Sequence, residues 1–405
     1  MFSNIKEFRG FLSGILIFSL LLFSSHFPAF AKKHKQEKHK EEVKTEQHDT
    51  VAVHVDTTHA IAEQHTDTTN GHNGSETFNA GKLIMEHIAD AHDWHLFGHY
   101  SIPLPVIVYS SRGLDIFSSS HFEHGHKTYN GYKLNEKNLI VAVDEMDAVH
   151  SDHATINDEI TATIYDFSIT KNVTAMLISM AFMLWVFISI ARAYSRNPNT
   201  APKGMQSLME PLIIFIRDDV AKASIGEKKY KKFMPFLLTV FFFILLNNLL
   251  GLVPIFPGGV NLTGNIAITF SLAFITFLIT TVNGTKDYWR HIIAMPGVPP
   301  WVLVLLTPIE ILGVFLRPFV LMIRLFANIT AGHIIALAFF CLIFIFAEKS
   351  PAAGFGVSIV SVAFVVFMTC LELLVAFLQA YVFTLLSAIY FGSALEEHHH
   401  AEEHH

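Results

Sequence analysis

The chain has 405 residues, 51% of them hydrophobic and only 16% charged, with 37 phenylalanines and a formal net charge of −7. A soluble domain carries about 25% charged residues, so a wholly water-soluble protein is excluded. The deficit is uneven: residues 32–165 are polar and hold sixteen of the 24 histidines, whereas 173–393 is mostly apolar runs. The net charge averages two unlike halves and says little about partners; no nucleic acid is expected. Cys341 and Cys370, the only cysteines, both lie in apolar runs, so they read as small hydrophobes and not as a disulfide framework.

In chain order, residues 1–31 read as a secretory signal. Lys6 and Arg9 form a basic start, Phe11 to Phe23 an apolar core, and Ala29-Phe30-Ala31 a small-x-small cleavage site. Residues 32–79 alternate Lys, Glu, His, Thr and Asp with almost no large apolar side chain, the composition of a disordered exported tail. Its histidines repeat no ligand spacing, and a solvated, pH-responsive tail is the expectation over a metal site. Residues 80–168 are expected to form a small α+β region, with an amphipathic stretch from Lys82 to His92. Short β-prone runs follow at Ile102–Tyr109, Tyr129–Leu134 and Leu139–Val143.

The membrane domain is expected over 169–397, before a short tail at 398–405. Its predicted spans are about 173–192, 233–255, 266–283, 301–346 and 354–393. The fold class is therefore an all-α polytopic membrane protein with five transmembrane helices and a small exported N-terminal region. A helix of about 46 residues extends roughly 69 Å, against a hydrocarbon core near 30 Å. The last two segments must either break, at Pro308 or Pro318, or lie strongly tilted against a packing partner. Residues 192–232 hold nine Lys or Arg against four acidic residues, which places this loop in the cytoplasm. The exported region then lies outside and the C-terminus inside. Within the basic loop, about 203–223 fits an interfacial helix.

Ionisable groups inside apolar spans carry the chemistry, because a buried charge costs about 2.5–3.5 kcal/mol at a helix centre. Glu310, Arg317 and Arg324 fall seven residues apart, which leaves only about 20° of drift and puts them on one face. Asn328 lies close to the same stripe. Arg317 fits either this polar path or a snorkelling position at the interface. Arg324 cannot relay a proton itself, but it can hold a fixed positive charge opposite a carboxylate that must ionise. His333 and Glu372, on successive helices, read as a proton relay. Glu372 and Gln379 again share a face.

The segment Ile323-Arg324-Leu325-Phe326-Ala327-Asn328-Ile329-Thr330-Ala331-Gly332-His333, preceded by Arg317-Pro318, resembles the hallmark of subunit a of F-type ATP synthases. Leu378-Gln379-Ala380-Tyr381-Val382-Phe383 and Ile389-Tyr390-Phe391 are similar to the last helix of that family, and the resemblance extends over roughly 173–397. It implies a non-catalytic, proton-channel stator subunit of the bacterial inner membrane, without cofactor or metal. Its partners would be the c-subunit ring, the b-subunit stator stalk, the remaining F1Fo subunits and lipid. Arg324 would face the ring with Gln379 nearby. Asn328, His333 and Glu372 would line the outer half-channel, and Glu310 the inner one. Some members carry an acid where Gly251 stands, so the outer route is expected to differ here, with Asn247 or Asn248 contributing. A His-rich metal or solute transporter would need internal repeats and paired intramembrane ligands. An intramembrane enzyme would need a nucleophile–base pair. Neither pattern is present in the sequence.

Overall fold

The computed structural model describes residues 79–396, apart from 98–99, 136, 145–153, 197–200, 254–257, 294 and 296–297. The signal segment, the His-rich tail at 32–78 and the end of the chain from 397 lie outside the described residues.

Residues 79–170 form the expected α+β region. Helix α1 spans Ala80–Ile88. Strands β1 (Asp93–Phe97) and β2 (Tyr100–Pro103) pair antiparallel. Strand β3 (Pro105–Ser110) lies between β4 (Gly113–Ser118) and β7 (Tyr165–Asp166), and β5 (Tyr132–Leu134) pairs with β6 (Ile140–Ala142). A single turn, α2, covers Asp158–Thr161. Alternation along β3 turns Val106 and Val108 inward, onto Phe122, Tyr132, Ile140 and Ile164.

Two boundaries differ from expectation. The run Ile102–Tyr109 is two strands, because Pro103 and Pro105 lack N–H groups for a continuous ladder and Leu104 instead bonds Ser119 through both backbone groups. The helix expected to reach His92 ends at Ile88. The chain turns there so that the Asp90 carboxylate can accept from the Asn172 amide, 3.1 Å away.

Five helices are long and apolar enough to cross a membrane: α3 (Lys171–Arg196), α6 (Tyr230–Leu252), α7 (Ile266–Asn283), α9 (Pro300–Lys349) and α10 (Pro351–Leu395). Between α3 and α6 lie α4 (Met205–Phe215), a π-helical segment Ile216–Lys222 and the short α5 (Ala223–Ile225). Helix α8 (Lys286–Ile293) precedes α9. Helix α9 runs its 50 residues unbroken through Pro308 and Pro318, and α10 continues for 45. Of the two alternatives, a break at proline or a long continuous helix, the second is found. Both helices exceed a bilayer's thickness more than twofold at about 1.5 Å per residue.

The bundle closes around α6, whose Leu237, Phe241, Phe243 and Ile244 are fully buried, and which packs against α10, the π-helical segment and α3. Helix α10 meets it with a stripe of small residues at four-residue spacing: Ala376, Ala380, Thr384 and Ala388, all buried. Small side chains let helix backbones approach closely. Hydroxyls inside these helices bond back to carbonyls one turn earlier, as Thr384 does to Ala380 at 2.7 Å and Thr276 to Leu272 at 3.0 Å. These hydroxyls need not then face hydrocarbon unpaired. Gly354 sits where a Cβ would lie 2.7 Å from the Ala347 Cβ, which lets α10 fold back on α9.

The α+β region is fastened to one end of this bundle. Lys171 N–H donates to the Ala91 carbonyl at 2.9 Å, and the Lys171 ammonium to the Ala89 carbonyl at 3.2 Å. Trp94 packs against Ala175 of α3 and Val260 of the α6–α7 loop. Helix α1 lies against α9.

Candidate functional site

Helix α9 buries Leu321, Met322 and Leu325, which pin one face to the bundle, while Phe319, Val320 and Ile323 remain exposed. Arg324 lies at the margin between these faces, half-buried, and Asn328 one turn on is exposed. Among the described residues no carboxylate lies within ion-pair distance of Arg324. Tyr390 of α10 lies in the electrostatic field of both Arg324 and Arg317. The Arg317 guanidinium sits 5.8 Å from the centre of the Tyr390 ring, a cation–π distance. Arg317 is thus not an isolated charge.

Glu310 and Arg317 converge on Tyr288 of α8. Burial raises the Tyr288 phenol above its ordinary pKa, Arg317 opposes that rise and Glu310 adds to it. Helix α8 is held beside the end of α10 by Thr285, whose N–H donates to the Ala394 carbonyl at 2.9 Å. One end of the stripe therefore combines an acid, a base and a phenol at the basic end of the bundle.

Glu372 and His333 lie towards the other end, each beside a glycine of another helix. A Cβ on Gly332 would lie 2.6 Å from Glu372 Oε1, so the bare backbone of α9 is what accommodates the carboxyl of α10. A Cβ on Gly251 of α6 would lie 3.7 Å from His333 Nε2. Acid and imidazole thus occupy neighbouring positions between α6, α9 and α10. No hydrogen bond joins them among the described residues, and Glu372 Oε1 is buried without a protein partner. An unpaired buried carboxyl oxygen is costly and marks a place for a proton or water.

Of the other expected residues, Asn248 is a cross-link. It accepts from the Thr263 hydroxyl at 2.6 Å and its amide approaches the Ala376 carbonyl at 3.4 Å. Asn247 donates to Phe243 within its own helix, at 2.7 Å. Gln379 is buried and has no hydrogen bond to Arg324 among the described residues. Sequence reasoning passed over Tyr390, although its spacing of eleven residues from Gln379 (three helical turns) placed it on the same face. Tyr288 and Gly332 gave no comparable signal.

The family described as ATP synthase A chain matches residues 173–392, more than half the chain, covering α6 to α9 and α10 as far as Gly392. The chain belongs to the ATP synthase subunit a family. Among similar proteins, ATP synthase subunit a of Pelodictyon phaeoclathratiforme is 35% identical over 98% of this chain and 96% of its own length. The subunit a of Chlorobium phaeobacteroides strain BS1 is 37% identical over 88% of this chain and 87% of its own. That of Chloroherpeton thalassium is 45% identical over 60% of this chain and 71% of its own. Residues 83–167 match a separate domain family of unknown function. Subunit a membership and the long apolar helices together make this a multi-pass protein of a bacterial membrane, belonging to the membrane sector of an F-type ATP synthase.

Proposed function

We propose that the chain is the proton-translocating stator of its ATP synthase, with Arg324 as the fixed charge of the translocation step. The carrying observation is that Arg324 stands half-buried beside an exposed apolar face and lacks an acidic partner among the described residues. A charge so placed calls for a counter-charge from another subunit, and a carboxylate on a rotating c-subunit ring is the partner that fits. In lipid that carboxylate is neutral. Opposite Arg324 it ionises, since an ion pair at ~4 Å is worth about 4 kcal/mol at an effective dielectric near 20. Arginine keeps its own proton throughout, so the guanidinium blocks a direct leak between the two sides.

Protons reach the ring from outside past Asn328, His333 and Glu372, and leave towards the cytoplasm past Glu310, with Arg317, Tyr288 and Tyr390 shaping that end. Asn248 holds the walls of the outer path together, and Asn247 and Gln379 take supporting places. The exported domain lies outside, the basic loop and C-terminus in the cytoplasm, and the b-subunit stalk fixes the chain to the remaining F1Fo subunits. The exposed faces of α9 and α10 follow the curved ring.

The test is coupled ATP synthesis and ATP-driven proton pumping in membrane vesicles carrying Arg324→Ala, with assembly checked in parallel. Loss of both activities in a fully assembled complex is expected. Retained coupling would make the arginine structural and overturn the reading.

A further inference from the structure

The α+β domain is not part of the segment matched as ATP synthase A chain, yet it reaches into the place where protons would be taken up. Helix α1 leaves the start of α3 and lies against α9. It carries Ile84, His87 and Ile88, which share one face by their three- and four-residue spacing. On its other sides Leu83 and Met85 are exposed, Met85 by 66%. Through this helix the His87 imidazole comes within electrostatic range of His333. The His87 side chain itself remains exposed. Two imidazoles on separate elements, one open to solvent and the other beside a buried acid, stand in sequence towards Glu372.

We propose that His87 is the proton-collecting group at the mouth of the outer half-channel, an inference that rests on the channel reading above. The accessory domain would then be a working part of the channel, supplying a titratable side chain that the membrane helices lack at this position. In one cycle the neutral imidazole binds a proton from the outer water, becomes imidazolium, gives the proton inward to neutral His333, and returns to its starting form. His333 passes it to the Glu372 carboxylate, whose unpaired Oε1 is free to receive it. Gly251 keeps the route open at His333, because any side chain there would start 3.7 Å from its Nε2.

The charges around His87 suit release over storage. Desolvation beside the packed helices, and then the positive charge of Lys171, lower its pKa below the ordinary imidazole value. Lys171, from α3, is itself within electrostatic range of Asp90 and Asp93. On α9, which packs against α1, His333 is the group within electrostatic range of His87. At neutral pH His87 is therefore mostly unprotonated and carries its proton only transiently.

The experiment measures proton conduction through the assembled complex in membrane vesicles, as a function of pH on the side of the α+β domain. Three complexes are compared, wild type, His87→Gln and His87→Glu, with Arg324→Ala run alongside. Gln preserves size and hydrogen bonding but cannot titrate in this range. Conduction is expected to fall several-fold in His87→Gln and to be restored in His87→Glu, with the pH profile of the Glu variant moved towards acid. Wild-type conduction in His87→Gln would overturn the proposal. An equal loss in both variants would also overturn it, since packing and not titration would then be at stake. If Arg324→Ala retained coupling, the channel reading itself would fail. Loss in Arg324→Ala together with an unaffected His87→Gln would remove only the role of His87.

Discussion

Helices α6 and α10 are both strongly apolar but meet different surroundings. In the most apolar window of α6, 61% of residues are buried by this chain, against 11% for α9 and for α10. Phe241 of α6 is enclosed, whereas Phe367 of α10 is 56% exposed. In a bilayer, exposed phenylalanine is no defect, because lipid is as apolar as the helix. Two helices of 50 and 45 residues left open along one side are another matter. Such lengths overshoot the hydrocarbon core, and tilt of that degree is set by packing against a neighbour. One half of the bundle is completed by its own chain, and the other half is left open by it.

Truncation at the two phenylalanines is the sharpest way to break that contrast. Phe241→Ala removes a fully buried aromatic side chain and should cost about 3–5 kcal/mol. Phe367→Ala should change the stability of the isolated chain by less than about 0.5 kcal/mol, yet weaken retention of the c-subunit ring. Denaturant titration of the purified subunit in detergent, paired with recovery of ring subunits on affinity purification, separates the effects. Comparable destabilisation by both changes would mean that the open half is closed by this chain after all.

The closed half was legible from the sequence as apolar runs of spanning length, and the stripe of Glu310, Arg317 and Arg324 from its heptad spacing. Their ends were not: α9 and α10 run a few residues past the predicted spans, to Lys349 and Leu395, and α9 stays whole at Pro308 and Pro318 because proline is tolerated where neighbouring helices re-satisfy the freed carbonyls. His333 and Glu372 could be paired by helix order and type, but the glycines that let them approach carry no side chain and gave no signal. His87 was one histidine among sixteen in a polar region. Only the turn after Ile88, made by Asp90 bonding the start of α3, brings it to α9, and periodicity does not encode such a turn.

A smaller effect probes the seam between the halves, where Asn248 ties α6 to the loop before α7 and to α10. Asn248→Leu leaves the Thr263 hydroxyl without its 2.6 Å acceptor, in a residue only 1% exposed. An unsatisfied buried hydroxyl costs about 1–3 kcal/mol. The double change Asn248→Leu with Thr263→Val removes both partners and should recover part of the loss. A double-mutant cycle in detergent measures the coupling, and additive losses would show that the hydrogen bond contributes nothing.

The smallest effect lies where the α+β domain rests on the closed half. Asp166 of β7 is held 3.3 Å from His92 Nε2, at 4% exposure of the His92 residue, just before the chain enters α3. Burial alone would raise the Asp166 carboxyl, but the hydrogen bond and charge of His92, with further bonds from Ser168, outweigh it and bring its pKa below the ordinary aspartate value. A carboxyl with a depressed folded-state pKa stabilises fully above the unfolded value, and that contribution is lost as pH falls through the folded one. The domain should therefore hold firmly above about pH 4 and loosen below it, while the bundle, with few acids in its spans, stays intact. Trp94, buried against Ala175 and Val260, is well placed to report this as a change in fluorescence on acid titration. Asp166→Asn should flatten the acid-side change, because asparagine has no proton to gain. An unaltered acid transition in that variant would place the sensitive group elsewhere in the domain and leave the contact with α3 indifferent to pH.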